Sequence, residues 1–180
     1  APRDIKPGNL RVDRDGVVKI LDMGLARFFE DESDHLTRRQ DPGGVMGTAD
    51  YISPEQLIDC SGADHRTDIY SLGATLYELL TLQPAFAETD RKELFKQIAF
   101  SDPTPPRKLN RNIPIDLETI VLKAMTKDPG DRYPTAKALA DDLRAFLDHR
   151  PICARPPSLV ERGLKLCQRH PSVVISMAAF

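Results

Sequence analysis

The 180-residue chain is poor in the features that define several protein classes. Its three cysteines, Cys60, Cys153 and Cys167, are scattered and odd in number. They supply neither a disulfide framework nor a metal-binding spacing, which points to a reducing compartment. Charge of neither sign prevails. Lys+Arg number 25 against 27 Asp+Glu, a net charge of -2, so there is no electrostatic case for nucleic acid as the main partner. No apolar run reaches the ~20 residues that span a bilayer. There is no internal repeat and no Walker-type glycine loop. What is present, 41% apolar and 29% charged residues, suits one soluble domain of ordinary size and argues against wholesale disorder.

The apolar pattern changes period along the chain. Leu10 and Val12, then Val18 and Ile20, alternate with polar neighbours around the turn Asp13-Arg14-Asp15-Gly16, which predicts a short β-hairpin. Residues 25–55 carry no sustained period, and a loop of that length inside a domain usually has a function. From about Asp68 the spacing turns helical: Ile69, Leu72, Leu76, Leu79 and Leu80 recur every three or four residues, with Thr67 as expected N-cap. Ala74, Thr75 and Tyr77 fill much of the remaining circumference, so this helix is expected to be buried on most sides. Three amphipathic helices follow, over roughly Asp90–Phe100, Ile115–Thr126 and Thr135–His149, separated by prolines 103, 105, 106, 129 and 134. Past Arg150 the composition shifts to prolines and basic residues, and Val173–Phe180 is apolar.

The residues with the most chemistry are Arg3-Asp4-Ile5-Lys6-Pro7-Gly8-Asn9, followed after the hairpin by Asp22-Met23-Gly24. Transfer of a γ-phosphoryl group to a hydroxyl needs a carboxylate to orient the hydroxyl and take its proton. It also needs a cation against the charge of the transferring group, and hard oxygen ligands that hold Mg²⁺ on the phosphates. Asp4 supplies the first, Lys6 the second, and Asn9 with Asp22 the third. The hairpin turns the chain back, so that Asn9 and Asp22 come near one another. Singly, each residue has a plainer reading: a turn former, a cap or a solvated charge.

Together these motifs resemble the catalytic loop and metal-binding triplet of the protein kinase superfamily, and the resemblance runs from about Arg3 to Leu147. Gly47-Thr48-Ala49-Asp50-Tyr51-Ile52-Ser53-Pro54-Glu55 resembles the segment that closes the activation loop, and Asp68–Gly73 the start of the central helix of the large lobe. The resemblance implies that Arg132 pairs with Glu55, whereas a surface ion pair is the plainer alternative. It implies that Asp68 bonds the catalytic-loop backbone; the plainer role is a charge favoured by the helix dipole. Lys6 and Gly47-Thr48 resemble Ser/Thr rather than tyrosine kinases, with the Thr48 hydroxyl bridging Asp4 and Lys6. Arg3 before Asp4 is the arrangement that grips a phosphorylated activation-loop residue, for which Thr37 and Ser33 are candidates beside the reading of ordinary exposed hydroxyls.

The resemblance thus implies a mainly α fold, the C-terminal large lobe of the protein-kinase-like fold, with one β-hairpin and four to six helices. The wording is closest to bacterial receptor-like Ser/Thr kinases. It implies ATP and Mg²⁺ (with Mn²⁺ as alternative), protein substrates, and a homodimer for activation-loop autophosphorylation. Residues 1–150 are read as the lobe. Residues 151–171 are either a disordered tail or a basic juxtamembrane linker, with 172–180 opening a transmembrane helix and the lobe on the cytoplasmic side of a bacterial inner membrane. The stretch holds no phosphate-covering glycine loop, strand lysine or partner glutamate, the parts of the N-terminal β lobe. Pro2 stands where the family has histidine, and Met23 where it has phenylalanine or leucine. The segment alone is therefore expected to be marginal in stability, to bind Mg·ATP poorly and to transfer no phosphate. A non-catalytic kinase-derived interaction module is the alternative function.

Overall fold

The structure, a computed structural model, describes residues 5–21, 49–58, 64–87 and 90–154. Within them the fold is mainly α, as the sequence implies, with one two-stranded antiparallel sheet. Strand β1 (Leu10–Val12) pairs with β2 (Val18–Ile20) in the register Leu10↔Ile20, Arg11↔Lys19, Val12↔Val18. The turn is built by its own side chain: Asp13 Oδ1 accepts from the N–H groups of Asp15 and Val17 at 3.0 and 2.9 Å. Gly16 takes φ +78°, a backbone that L side chains adopt at a cost. The register gathers Leu10, Val12, Val18 and Ile20 on one face, where Leu10 is half-buried and the other three are exposed, Val12 by 68%.

Six helices follow among the described residues: α1 (Pro54–Ile58), α2 (Arg66–Thr81), α3 (Arg91–Phe100), α4 (Pro106–Leu109), α5 (Ile115–Ala124) and α6 (Ala136–Leu147). Asp90 caps α3 by accepting from Lys92 N at 3.0 Å, and Thr135 caps α6 by accepting from Ala138 N at 3.1 Å. The start of α2 differs from expectation. His65 is its N-cap and makes no side-chain cap bond, while Thr67 lies inside the first turn with its hydroxyl turned to another partner described below.

Burial around α2 also departs from the leucine stripe. Of Ile69, Leu72, Leu76, Leu79 and Leu80 only Ile69 is fully buried, and Leu79 is 55% exposed. The closed side carries Tyr70, Gly73, Ala74 and Tyr77 instead. The cause is the crossing with α5. An added Cβ on Gly73 would lie 2.9 Å from both Ala124 Cβ and Met125 Cγ, so the two backbones approach only where one residue has no side chain. Around this crossing Ile69, Ile120, Ala124, Tyr133 and Leu139 form one core cluster, and Tyr70, Ala74, Tyr77, Val121 and Met125 a second. A third joins Ala49 and Phe86 to Leu94 and Ile98 of α3.

Candidate functional site

The chain enters the described structure at Ile5, which is buried and holds the strand of loop from which half-buried Lys6 departs. Pro7–Asn9 make one 3₁₀ turn closed by Asn9 N–H to Lys6 C=O at 3.0 Å. Asn9 is buried at its end, where its carbonyl accepts from Leu21 N at 2.7 Å, one residue past the end of the β1–β2 pairing. The hairpin therefore closes on Asn9, with Leu21 opposite. Asp4, Asp22 and Thr48, and the regulatory candidates Arg3, Ser33 and Thr37, lie outside the described residues.

The segment Ala49–Ile58 is organised by side-chain bonds. Ser53 opens α1 and Gln56 reaches back to it: the Gln56 carboxamide oxygen accepts from both Ser53 N and Ser53 Oγ at 3.1 Å. With Pro54 at the first helical position, this is the side-chain-to-N-cap half of a capping box, the Gln56 N–H going to the Ser53 carbonyl at 3.1 Å. The segment then runs along α2, which contacts it at three levels. Thr67 Oγ1 donates to Glu55 Oε1 at 3.1 Å, Ser71 Oγ donates to Tyr51 C=O at 2.8 Å, and Tyr51 OH donates to Glu78 Oε2. Burial, the Glu78 bond and the Glu78 charge hold the Tyr51 phenol protonated far above neutral pH. Burial and the Glu78 charge also raise the Asp50 carboxyl above its usual range.

Arg132 closes the arrangement from the opposite side. Nη1 and Nη2 donate to Glu55 Oε1 and Oε2, each at 2.7 Å, in a bidentate pair. Nη1 also donates to Arg66 C=O at 2.9 Å, Nη2 to Lys127 C=O at 3.1 Å and Nε to Thr126 C=O at 2.8 Å. All five N–H donors of the guanidinium are thus engaged. The Arg132 side chain is 0% exposed and that of Glu55 19%, and the guanidinium stacks 5.0 Å from the Tyr70 ring centroid. Burial alone would raise the Glu55 carboxyl, but the Arg132 bonds and charge, with the local backbone N–H, hold it below its ordinary value. Asp68 sits half-buried in the first turn of α2, on the side of the helix N-terminus that favours a negative charge.

Several residues that build this site have no motif of their own. Thr67 and Glu78 read as ordinary polar positions of a helix, yet Thr67, buried with Ser71 on the closed side of α2, is a signal that something polar lies along it. Lys127 is the other. Its buried ammonium donates to Ile98 C=O at 2.6 Å, at the end of α3, and lies 4.5 Å from the Phe86 ring centroid. It pins α3 beside the Arg132 cluster.

The sequence of residues 2–143 matches the protein kinase domain, and the chain belongs to that family. Its hairpin and helices are those of the large lobe. Bacterial proteins match most of its length. The serine/threonine-protein kinase PknB of Mycobacterium tuberculosis is 40% identical over 141 residues, 78% of this chain and 22% of that protein. A probable serine/threonine-protein kinase of Streptomyces coelicolor is 40% identical over 152 residues, 84% of this chain and 22% of its own length. The probable PknB of Bifidobacterium longum is 39% identical over 146 residues. The chain spans about a fifth of the length of these curated relatives.

As to metal and nucleotide, a carboxamide oxygen from Asn9 and a carboxylate from Asp22 are hard donors of the kind Mg²⁺ takes, and the buried seat of Asn9 at the hairpin mouth fits that use. No helix among the described residues is long and apolar enough to cross a membrane, and residues 172–180 lie outside them.

Proposed function

We propose that this chain is the substrate-side lobe of a Ser/Thr protein kinase, which transfers the γ-phosphate of ATP to hydroxyls of protein substrates. Asp4 orients the incoming hydroxyl and accepts its proton. Lys6 sets its ammonium against the charge of the transferring group, and the Thr48 hydroxyl bridges the two. Asn9 and Asp22 hold Mg²⁺, which when bound offsets the negative charge of the phosphates. Arg3 receives a phosphorylated Thr37 in the activation loop, a modification made between two copies of the chain. The basic stretch 151–171 runs toward the membrane on its cytoplasmic side, and 172–180 opens the span.

The observation that supports this reading most is the 2.7 Å bond from Leu21 N to Asn9 C=O, because it closes the hairpin between the two halves of the metal-binding set. The Glu55–Arg132 pair supports it from the other end, since it fixes the segment on which a protein substrate would lie. The test is incorporation of radiolabel from ATP into a generic basic protein, with phosphoamino-acid analysis. It is run on the whole reading frame that contains these residues and on the 180-residue chain. Label on Ser and Thr that disappears in Asp4→Asn is the expected result for the whole protein. Absence of label there, or label that survives Asp4→Asn, overturns the reading.

A further inference from the structure

One buried carboxylate takes no part in the site above. Asp142 on α6 is 2% exposed, and its two oxygens accept from Tyr133 OH at 2.9 Å, Cys153 N at 2.7 Å and Ala154 N at 2.8 Å. Two of these three donors are consecutive main-chain N–H groups of a segment with no regular secondary structure, a few residues past the end of α6 at Leu147. The same segment is held by packing. Ile152 and Ala154 face the first core cluster while Cys153 between them points outward, so the chain after α6 lies on the lobe as a short strap. The Lys123 ammonium, 4.7 Å from the Tyr133 ring centroid, adds positive charge beside the pair. Burial would raise the Asp142 carboxyl, but the Cys153, Tyr133 and Ala154 bonds with Lys123 outweigh it, and the group stays ionised.

The third donor gives the strap a connection inward. Tyr133 is the neighbour of Arg132: one side chain of this dipeptide holds Glu55, the next holds Asp142. We propose that Asp142 is a positioning residue in a latch that fixes the chain leaving the lobe, and that the Arg132-Tyr133 dipeptide couples this latch to the Glu55 anchor of the activation segment. Displacement of residues 151–154 takes two of the three donors from Asp142 and leaves its carboxylate on the Tyr133 hydroxyl alone, the link through which the seat of Arg132 responds. The device needs no phosphoryl transfer, and it stands or falls independently of that reading.

The test is hydrogen exchange followed by mass spectrometry on the full chain. In the unmodified protein the amides of Cys153 and Ala154 exchange as slowly as those of the α6 helix. Free exchange there overturns the latch without any variant. Asp142→Asn keeps the size of the side chain but turns an N–H₂ toward one of the three donors, and is expected to speed exchange over 151–154 by about tenfold or more. Coupling predicts that the peptide covering 51–58 speeds up as well, by a smaller factor. The same peptide should respond to Tyr133→Phe, which leaves both main-chain donors on Asp142. Asp141→Asn, in the exposed Lys137–Asp141–Arg144 group, should change neither region. Release of the strap with unchanged exchange over 51–58 overturns the coupling, because adjacency in space without a shared response is not coupling.

Discussion

Removing Arg132 is the most discriminating perturbation of this lobe, because its cost separates a surface ion pair from an internal joint. An exposed pair contributes at most ~1 kcal/mol. Arg132 is instead fully enclosed and Glu55 mostly so. Arg132→Ala withdraws the countercharge from Glu55 and leaves the carbonyls of Arg66, Thr126 and Lys127 without their donor. Breaking a buried pair from one side costs roughly 3–5 kcal/mol, and about 4 kcal/mol is expected here. That is a large share of a domain stability of about 5–15 kcal/mol. Arg132→Lys keeps the charge but cannot span two carboxylate oxygens and three carbonyls, so about 2–3 kcal/mol is still lost. The assay is urea unfolding of the wild-type chain, Arg132→Ala, Glu55→Ala and the double variant. A coupling of about 2 kcal/mol between the two positions is expected. If Arg132→Ala costs less than ~1 kcal/mol, the joint is no more than a surface contact and the reasoning fails.

Gly73→Ala is expected to lower the thermal midpoint: alanine gains up to ~1 kcal/mol in helix propensity, but its methyl would meet Ala124 and Met125 at 2.9 Å, an overpacking cost of about 1–3 kcal/mol. A raised midpoint would show that α2 and α5 separate freely. Acid should weaken the lobe in a traceable way. Glu55 and Asp142 are held below their ordinary values, so the unfolded chain takes up their protons at higher pH than the folded one. Their contribution is complete above the usual carboxylate range and disappears as pH falls through the folded values. Glu55→Gln should remove part of the loss in urea midpoint between neutral pH and about pH 3, and an unchanged slope refutes it.

How much of this was legible depended on the range of the interaction. The hairpin is written locally, in Asp13 and Gly16, and α3 and α6 in a cap followed by a periodic stripe. Helix α1 is too short for a period to show, although Ser53, Pro54 and Gln56 spell a capping box. The closed side of α2 was hidden for a different reason. Leucines announce burial, but a close helix crossing selects small residues, and Gly73 with Ala74 reads as a weak stretch until α5 is placed on it. The Glu55–Arg132 pair is separated by 77 positions and obeys no period, so only the family pattern joined them. Asp142 shows the limit most clearly. It follows Asp141 in the sequence, and helical spacing puts it on the stripe of Leu139 and Ala145, but which donors hold it there is not written locally.

The polar character of these joints has a mechanical consequence. Between Tyr51 and Glu55 the closing segment is attached to the lobe by hydrogen bonds, from Thr67 and Ser71, to Glu78 and to Arg132, and by the packing of Tyr51 on the cluster around Tyr70 and Val121. Apolar burial is additive and non-directional, so a segment held by it loosens gradually. A guanidinium with a rigid fork is different: its five donors are satisfied together or several are lost together, and an orphaned buried donor costs more than the bond was worth. The segment is therefore either seated on Arg132 or free of it, with little in between. The core cluster around Ile120 holds no residue of the segment, whereas the one around Val121 carries the Tyr51 ring and moves with that choice. A lobe built this way can release the segment from Arg132 while the helices beneath it stay folded.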